Sequence, residues 1–210
     1  MSHNSVMPDS RGHDAEGNGN AMKPSRLIIG MSGASGAAYG IRLLEVLKES
    51  TVETHLVMSK AAAMTIAYET DRTAEEVRAL ADVSYPVADV GAAIASGSYK
   101  TTGMVIAPCS IKTLSEVATC NTGNLLSRAA DVVLKERRRL VLLVRETPLH
   151  TGHLRMMTQA SESGAVIMPP VPAFYSKPET LDDMIDHTVG RVLDLFDIDN
   201  DLVKRWREGA

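Results

Sequence analysis

The chain has 210 residues, of which 44% are hydrophobic and 23% charged, and a formal net charge of −4. That length suits one domain with a full-sized core, and the composition is ordinary for a globular protein. The mild acidic balance provides no basic field for nucleic acid, and no stretch is long and apolar enough to span a membrane.

The first 22 residues are polar, rich in Ser, Gly, Asn and His, and lack the apolar stretch of a signal peptide. They are expected to form a disordered tail, residues 1–24, ahead of one folded domain over 25–210; His3 and His13 belong to that tail. Strand Leu27–Gly30 then enters a turn of small residues and a helix from Ile41 to Lys48. A second strand, Glu53–Met58, leads through Ser59 into a helix over Ala61–Glu69. Thr73–Leu80 reads as a short helix, and Ser84 to Ser98 as a loop with one small strand or helix. Gly103–Ala107 is a buried-type strand ending at Pro108-Cys109-Ser110. Helices are expected over Ile111–Ala118 and Asn124–Arg138, the second ending in Arg137-Arg138-Arg139 as a solvated helix end. Strand Leu140–Val144 stops at Arg145-Glu146. A helix from His150 to Glu162, a strand Ala165–Met168 and a proline-rich extended segment to Phe174-Tyr175 follow. Thr180 is the N-cap expected for the last helix, with Asp183 at its third position. Strands alternating with helices predict an α/β domain: a parallel sheet with helices on both faces.

In such sheets ligands bind beyond the carboxyl ends of the strands. Here those ends carry Ser32–Ser35, Ser59-Lys60, Cys109-Ser110 and Arg145-Glu146. The first turn, Gly30-Met31-Ser32-Gly33-Ala34-Ser35-Gly36, offers glycines, hydroxyls and the free amides of a helix start, which favour an anion. Its spacing matches neither the dinucleotide fingerprint nor a P-loop, so a phosphate site and a merely tight β–α turn both remain open. The serines could equally be helix caps, and Arg145-Glu146 a surface pair. Arg145 suits a phosphate or a flavin ring carbonyl, and Glu146 suits proton transfer. Cys109 reads as packing, because no histidine stands nearby in sequence to activate it as a nucleophile. Cys109 and Cys120 lack C-x-x-C spacing, which fits a reducing, cytoplasmic compartment. His150 and His153 share a helix face with no third ligand, so no metal site is expected.

Across Arg26 to Trp206 the chain resembles the UbiX-type flavin prenyltransferases, including the B subunits of hydroxyarylic acid decarboxylase systems. The resemblance rests on the first turn, Val57-Met58-Ser59-Lys60, Pro108-Cys109-Ser110-Ile111-Lys112-Thr113-Leu114, Arg128–Glu136, Arg145-Glu146-Thr147-Pro148-Leu149 and Pro172-Ala173-Phe174-Tyr175. It implies a Rossmann-like flavoprotein that joins the dimethylallyl group of dimethylallyl monophosphate to N5 and C6 of reduced FMN, without a metal. It also implies a dodecamer with active sites at subunit contacts, whose prenylated FMN serves a UbiD-type decarboxylase. By position, Gly33, Ala34, Ser35, Ser59, Ser110, Ile111, Lys112, Thr113 and Arg145 are implied to hold FMN. Glu69, Arg128, Lys135, Tyr175 and Arg191 are implied to line the prenyl phosphate site. Glu146 is implied as the proton carrier with Ser35 assisting, Lys135 as a catalytic cation and Trp206 as a π face for an allylic cation.

Val144, the group His150, Gly152 and Arg155, and the extra tail depart from the family's pattern. Flavoproteins that decarboxylate a cysteine-derived substrate use a His near the first helix and an Asn at a strand end; this chain has neither at those positions. A non-catalytic FMN carrier subunit for an aromatic acid decarboxylase is the alternative function. The retained second set of phosphate residues argues against it.

Overall fold

The computed structural model describes Met1, residues 25–203 and Arg205; the expected tail and Trp206 lie outside the described residues. Six strands form one parallel sheet, β1 (Arg26–Met31), β2 (Glu53–Met58), β3 (Val83–Tyr85), β4 (Gly103–Cys109), β5 (Arg139–Val144) and β6 (Ala165–Ile167). Their spatial order is β3-β2-β1-β4-β5-β6, the doubly wound arrangement with a reversal of direction between β1 and β4. The central strands are buried on both sides, which is why they read as unbroken apolar runs.

Side chains alternate across the sheet into two cores. Leu27, Ile29 and Met31 of β1 face α1 (Ala37–Lys48), α2 (Lys60–Glu69) and α7 (Leu181–Leu195). Ile28 of β1, with Met104 and Ile106 of β4, faces α4 (Ile111–Ala118), α5 (Leu125–Lys135) and α6 (Thr151–Glu162). α3 (Ala74–Arg78) is capped by Thr73, whose capping box with Glu76 is complete. Thr180 and Asp183 form the capping box expected for α7.

The differences from the sequence expectations have local causes. α1 starts at Ala37, not Ile41, because Gly36 takes up φ 104 and turns the chain directly into the helix. The first turn of α1 lacks apolar periodicity because Gly40 presses against β4; a Cβ there would lie 2.3 Å from the Ala107 carbonyl oxygen. Residues 84–98 hold both the end of β3 and a 3-10 turn at Ala93–Ala95. α5 ends at Lys135, so the arginine run is not a solvated helix end. Arg138 folds back and donates to the carbonyls of Gly97 (2.7 Å) and Tyr99 (2.8 Å), fastening the loop ahead of β4. Arg139 opens β5 and pairs with Asp197 at 3.5 Å.

Gly40→Val should lower stability by about 3 kcal/mol in urea unfolding, since neither α1 nor the β4 backbone can give way at that contact.

Candidate active site

The carboxyl ends of β1 and β4 are joined by Ser32. Its hydroxyl donates to the Pro108 carbonyl at 2.8 Å and accepts from the Ser110 amide at 2.7 Å. Ser32 is therefore a buried structural bridge, and not one of the hydroxyl donors expected for a phosphate. Cys109 beside it is fully buried, and burial pushes its thiol well above the ordinary range, which leaves it an inert packing residue.

Next to this bridge lies a cavity of about 450 Å³. Gly33, Ser59, Ser110, Lys112 and Thr113 line it, so most of the implied FMN residues converge on one space. Ser59 caps α2 by accepting from Ala62 N at 3.0 Å, and Ser110 caps α4 by accepting from Thr113 N at 3.3 Å. The capping and ligand readings of these serines are compatible, because capping places the hydroxyl beside the free amides of a helix start. Two helix N-termini thus open into the same cavity, each favouring negative charge. Ile111 packs against the core, so its backbone and not its side chain serves this edge. Lys112 pairs with Glu116 across one turn. Asn124, the N-cap of α5, also lines the cavity. Sequence reading passed over Asn124, although an Asn directly before an apolar helix was a usable cap signal.

The amides expected to meet a phosphate at the first turn have another partner. Gly36 N and Ala37 N, at the start of α1, donate to the Glu69 carboxylate at 2.8 and 2.9 Å. The Ser35 side chain lies beside the same carboxylate and helps to stabilise its charge. Partial burial would raise the Glu69 pKa, but the bonds from Ser35, Ala37 and Gly36 and the nearby charge of Arg145 outweigh it and hold it low. The anion at the glycine turn is therefore Glu69 itself. Arg145 leaves β5 beside this group, with its amide donating to the Cys109 carbonyl at 3.0 Å. Glu146 follows, exposed, accepting from Thr147 N at 3.1 Å.

The implied prenyl-phosphate residues do not gather within one chain. Arg128 and Lys135 sit on α5, and Arg191 sits on α7 across the sheet. Lys135 ends α5 roughly 16 Å from its capped start at the cavity, at 1.5 Å per residue. Arg128 donates to the Ala95 carbonyl at 3.3 Å and to Asp131 at 3.1 Å, and Lys135 pairs with Glu136 at 2.5 Å. Tyr175 lies within 3.3 Å of His187 Nε2 on α7, and Arg191 donates to Asp194 at 2.9 Å. Among the described residues no group of His, Cys, Asp and Glu could hold a metal ion, and no helix is long and apolar enough to cross a membrane.

The profile of the Flavoprotein family matches residues 16–204. The flavin prenyltransferase UbiX of Salmonella typhimurium is 65% identical over 185 residues, covering 87% of this chain and 98% of that protein. The crystal structure of AnUbiX in complex with FMN and dimethylallyl pyrophosphate superposes with a TM-score of 0.87 at 50% identity, covering 90% of this chain and all of that one. A dodecameric FMN-dependent UbiX-like decarboxylase from Escherichia coli O157:H7 superposes at 0.85, also with 50% identity, over 87% of this chain and 100% of its own.

Because the folded state holds Glu69 below its ordinary pKa, its stabilisation is complete above the unfolded value and fades as pH falls through the folded one. Glu69→Gln should cost about 1 kcal/mol near neutral pH, the worth of a charged group on a helix start. Denaturant unfolding of the two proteins should converge as the medium becomes acidic.

Proposed function

The chain belongs to the Flavoprotein family, among its UbiX-type flavin prenyltransferases, and from that premise we propose how its residues divide the reaction. The enzyme transfers the dimethylallyl group of dimethylallyl monophosphate to N5 and C6 of reduced FMN and releases phosphate. The prenylated FMN serves a UbiD-type decarboxylase. The observation that carries the residue assignment is the cavity where the starts of α2 and α4 meet, adjoining Ser35, Glu69 and Arg145.

FMN supplies the nucleophilic positions, and its phosphate matches the amides and hydroxyls at Ser59, Ser110 and Thr113. Gly33 and Ala34 let the ring approach the first turn, and Arg145 holds a ring carbonyl or neutralises charge beside it. Glu146, exposed at the end of β5, carries a proton between the acceptor and the departing phosphate. Glu69 orients the Ser35 hydroxyl as the acceptor of a hydrogen bond, so that the Ser35 oxygen keeps a set orientation toward the site.

Arg128, Lys135, Tyr175 and Arg191 supply the cations and phenol that stabilise charge on the leaving phosphate. α5 and α7 lie on opposite faces, so these groups reach one phosphate only if neighbouring subunits contribute them. A dodecamer, the state of the Escherichia coli O157:H7 relative, would provide such contacts. Trp206 is assigned to the allylic group by its position in the sequence. Both cysteines are free, which supports a reducing, cytoplasmic location.

Anaerobic mixing of the protein with reduced FMN and dimethylallyl monophosphate should give a flavin heavier by one five-carbon unit in mass spectrometry. Recovery of only unmodified FMN would leave the carrier reading standing instead. Glu146→Gln should bind FMN normally while losing about a hundredfold in turnover. Ser110→Ala should weaken FMN binding about tenfold by calorimetry, with the fold intact.

A further inference from the structure

The carboxyl end of α7 is crossed by the chain that follows it. After Phe196 the backbone reverses through Asp197, at φ 56, and residues 200–203 run back over Gly190. A Cβ on Gly190 would lie 2.4 Å from Val203 and 2.6 Å from Asn200, so only glycine admits this crossing. Asn200 Nδ2 lies 3.3 Å from the Gly190 carbonyl and 3.1 Å from Asp194 Oδ1. Beyond the crossing, Arg205 reaches the same carboxylate with both terminal nitrogens, at 2.9 Å to Oδ1 and 3.1 Å to Oδ2. Arg191 donates a single bond to Oδ2 at 2.9 Å.

We infer that Asp194 and Arg205 are positioning residues for the substrate phosphate site, a clamp that fastens the C-terminal segment to α7 and sets the charge and direction of Arg191. This rests on the reading of Arg191 as a ligand of the prenyl phosphate.

The arithmetic of charge supports it. Asp194 alone would neutralise Arg191. With Arg205 engaged by a two-pronged pair, one carboxylate is shared between two guanidinium groups, so it is not left to neutralise Arg191 alone. Both oxygens already receive two donors each, so Arg191 is held by one of its five N–H groups and the others stay directed elsewhere. The Asp194 side chain is only 17% exposed, against 50% for Arg191, so the anion is sheltered while the cation faces outward. The hydrogen bond from Arg205 outweighs partial burial and, with Asn200 and the two positive charges, keeps Asp194 ionised well below the usual range. An isolated surface pair would contribute little, but a bidentate fork on a sheltered carboxylate with two further donors is a network.

The test uses the full-length enzyme and the anaerobic prenylation assay with dimethylallyl monophosphate. Arg205→Gln, at a partly exposed site outside the core, should raise KM for the prenyl phosphate about tenfold while leaving FMN affinity unchanged. Arg205→Lys, which restores the charge without the fork, should bring KM back to within about threefold of wild type. Asp194→Asn should raise KM for the prenyl phosphate in the same way as Arg205→Gln. Wild-type KM in Arg205→Gln overturns the inference. Arg191→Gln separates the two readings: if it raises KM and Arg205→Gln does not, only the clamp fails. If Arg191→Gln itself keeps the wild-type KM, the assignment of Arg191 to the phosphate fails, and the clamp's catalytic role with it.

Discussion

The carboxyl edge of the sheet depends on the pairing of β1 with β4, where the direction of winding reverses. At that point two turns must lie side by side, and Ser32 holds them together through the Pro108 carbonyl and the Ser110 amide. The bond is buried, so breaking it would strand two polar groups away from water. With that seam in place, the glycine turn after β1 and the cap of α4 after β4 face one cavity. Arg145 is drawn into the same edge by the hydrogen bond from its amide to the Cys109 carbonyl.

Charge at this edge is allocated in pairs. The start of α1 is satisfied by Glu69, a residue of the same chain, whereas the starts of α2 and α4 open into the cavity. The difference separates two functions that the small residues alone would confuse. One helix start holds a carboxylate of its own chain; the other two leave donors at the cavity. Glu116 similarly takes up Lys112, while Lys60 and the amides and hydroxyls of the helix starts also line the cavity. The amides and hydroxyls stay put when a ligand enters, which limits the reorganisation that binding requires.

The cations of α5 and α7 are divided between the two faces of the sheet. α5 and α7 pack into separate cores, so the cations they carry are directed away from each other within one subunit. Val171 and Phe174 in the segment leading to α7, and Leu181 at its first position, are exposed apolar residues.

Strand positions, the N-caps at Ser59, Ser110 and Thr180 and the parallel sheet were readable in the sequence, because periodicity and capping are set by residues close along the chain. The cavity residues were readable too, since the strand-end rule turns a one-dimensional order into a shared edge. Other features were not. The early start of α1 was hidden because Gly40 answers to a carbonyl of β4, and the arginine run misled because Arg138 answers to the loop at 97–101. Glu69 and the amides at Gly36 and Ala37 lie more than thirty positions apart, so no local pattern records their contact. The order of hydrophobic runs, glycines and strand-end polar residues by itself determined the fold and which edge carries the chemistry. Which of those polar groups satisfy each other, and which remain to meet a ligand, only the tertiary structure decided, because that depends on distances between segments the sequence keeps far apart.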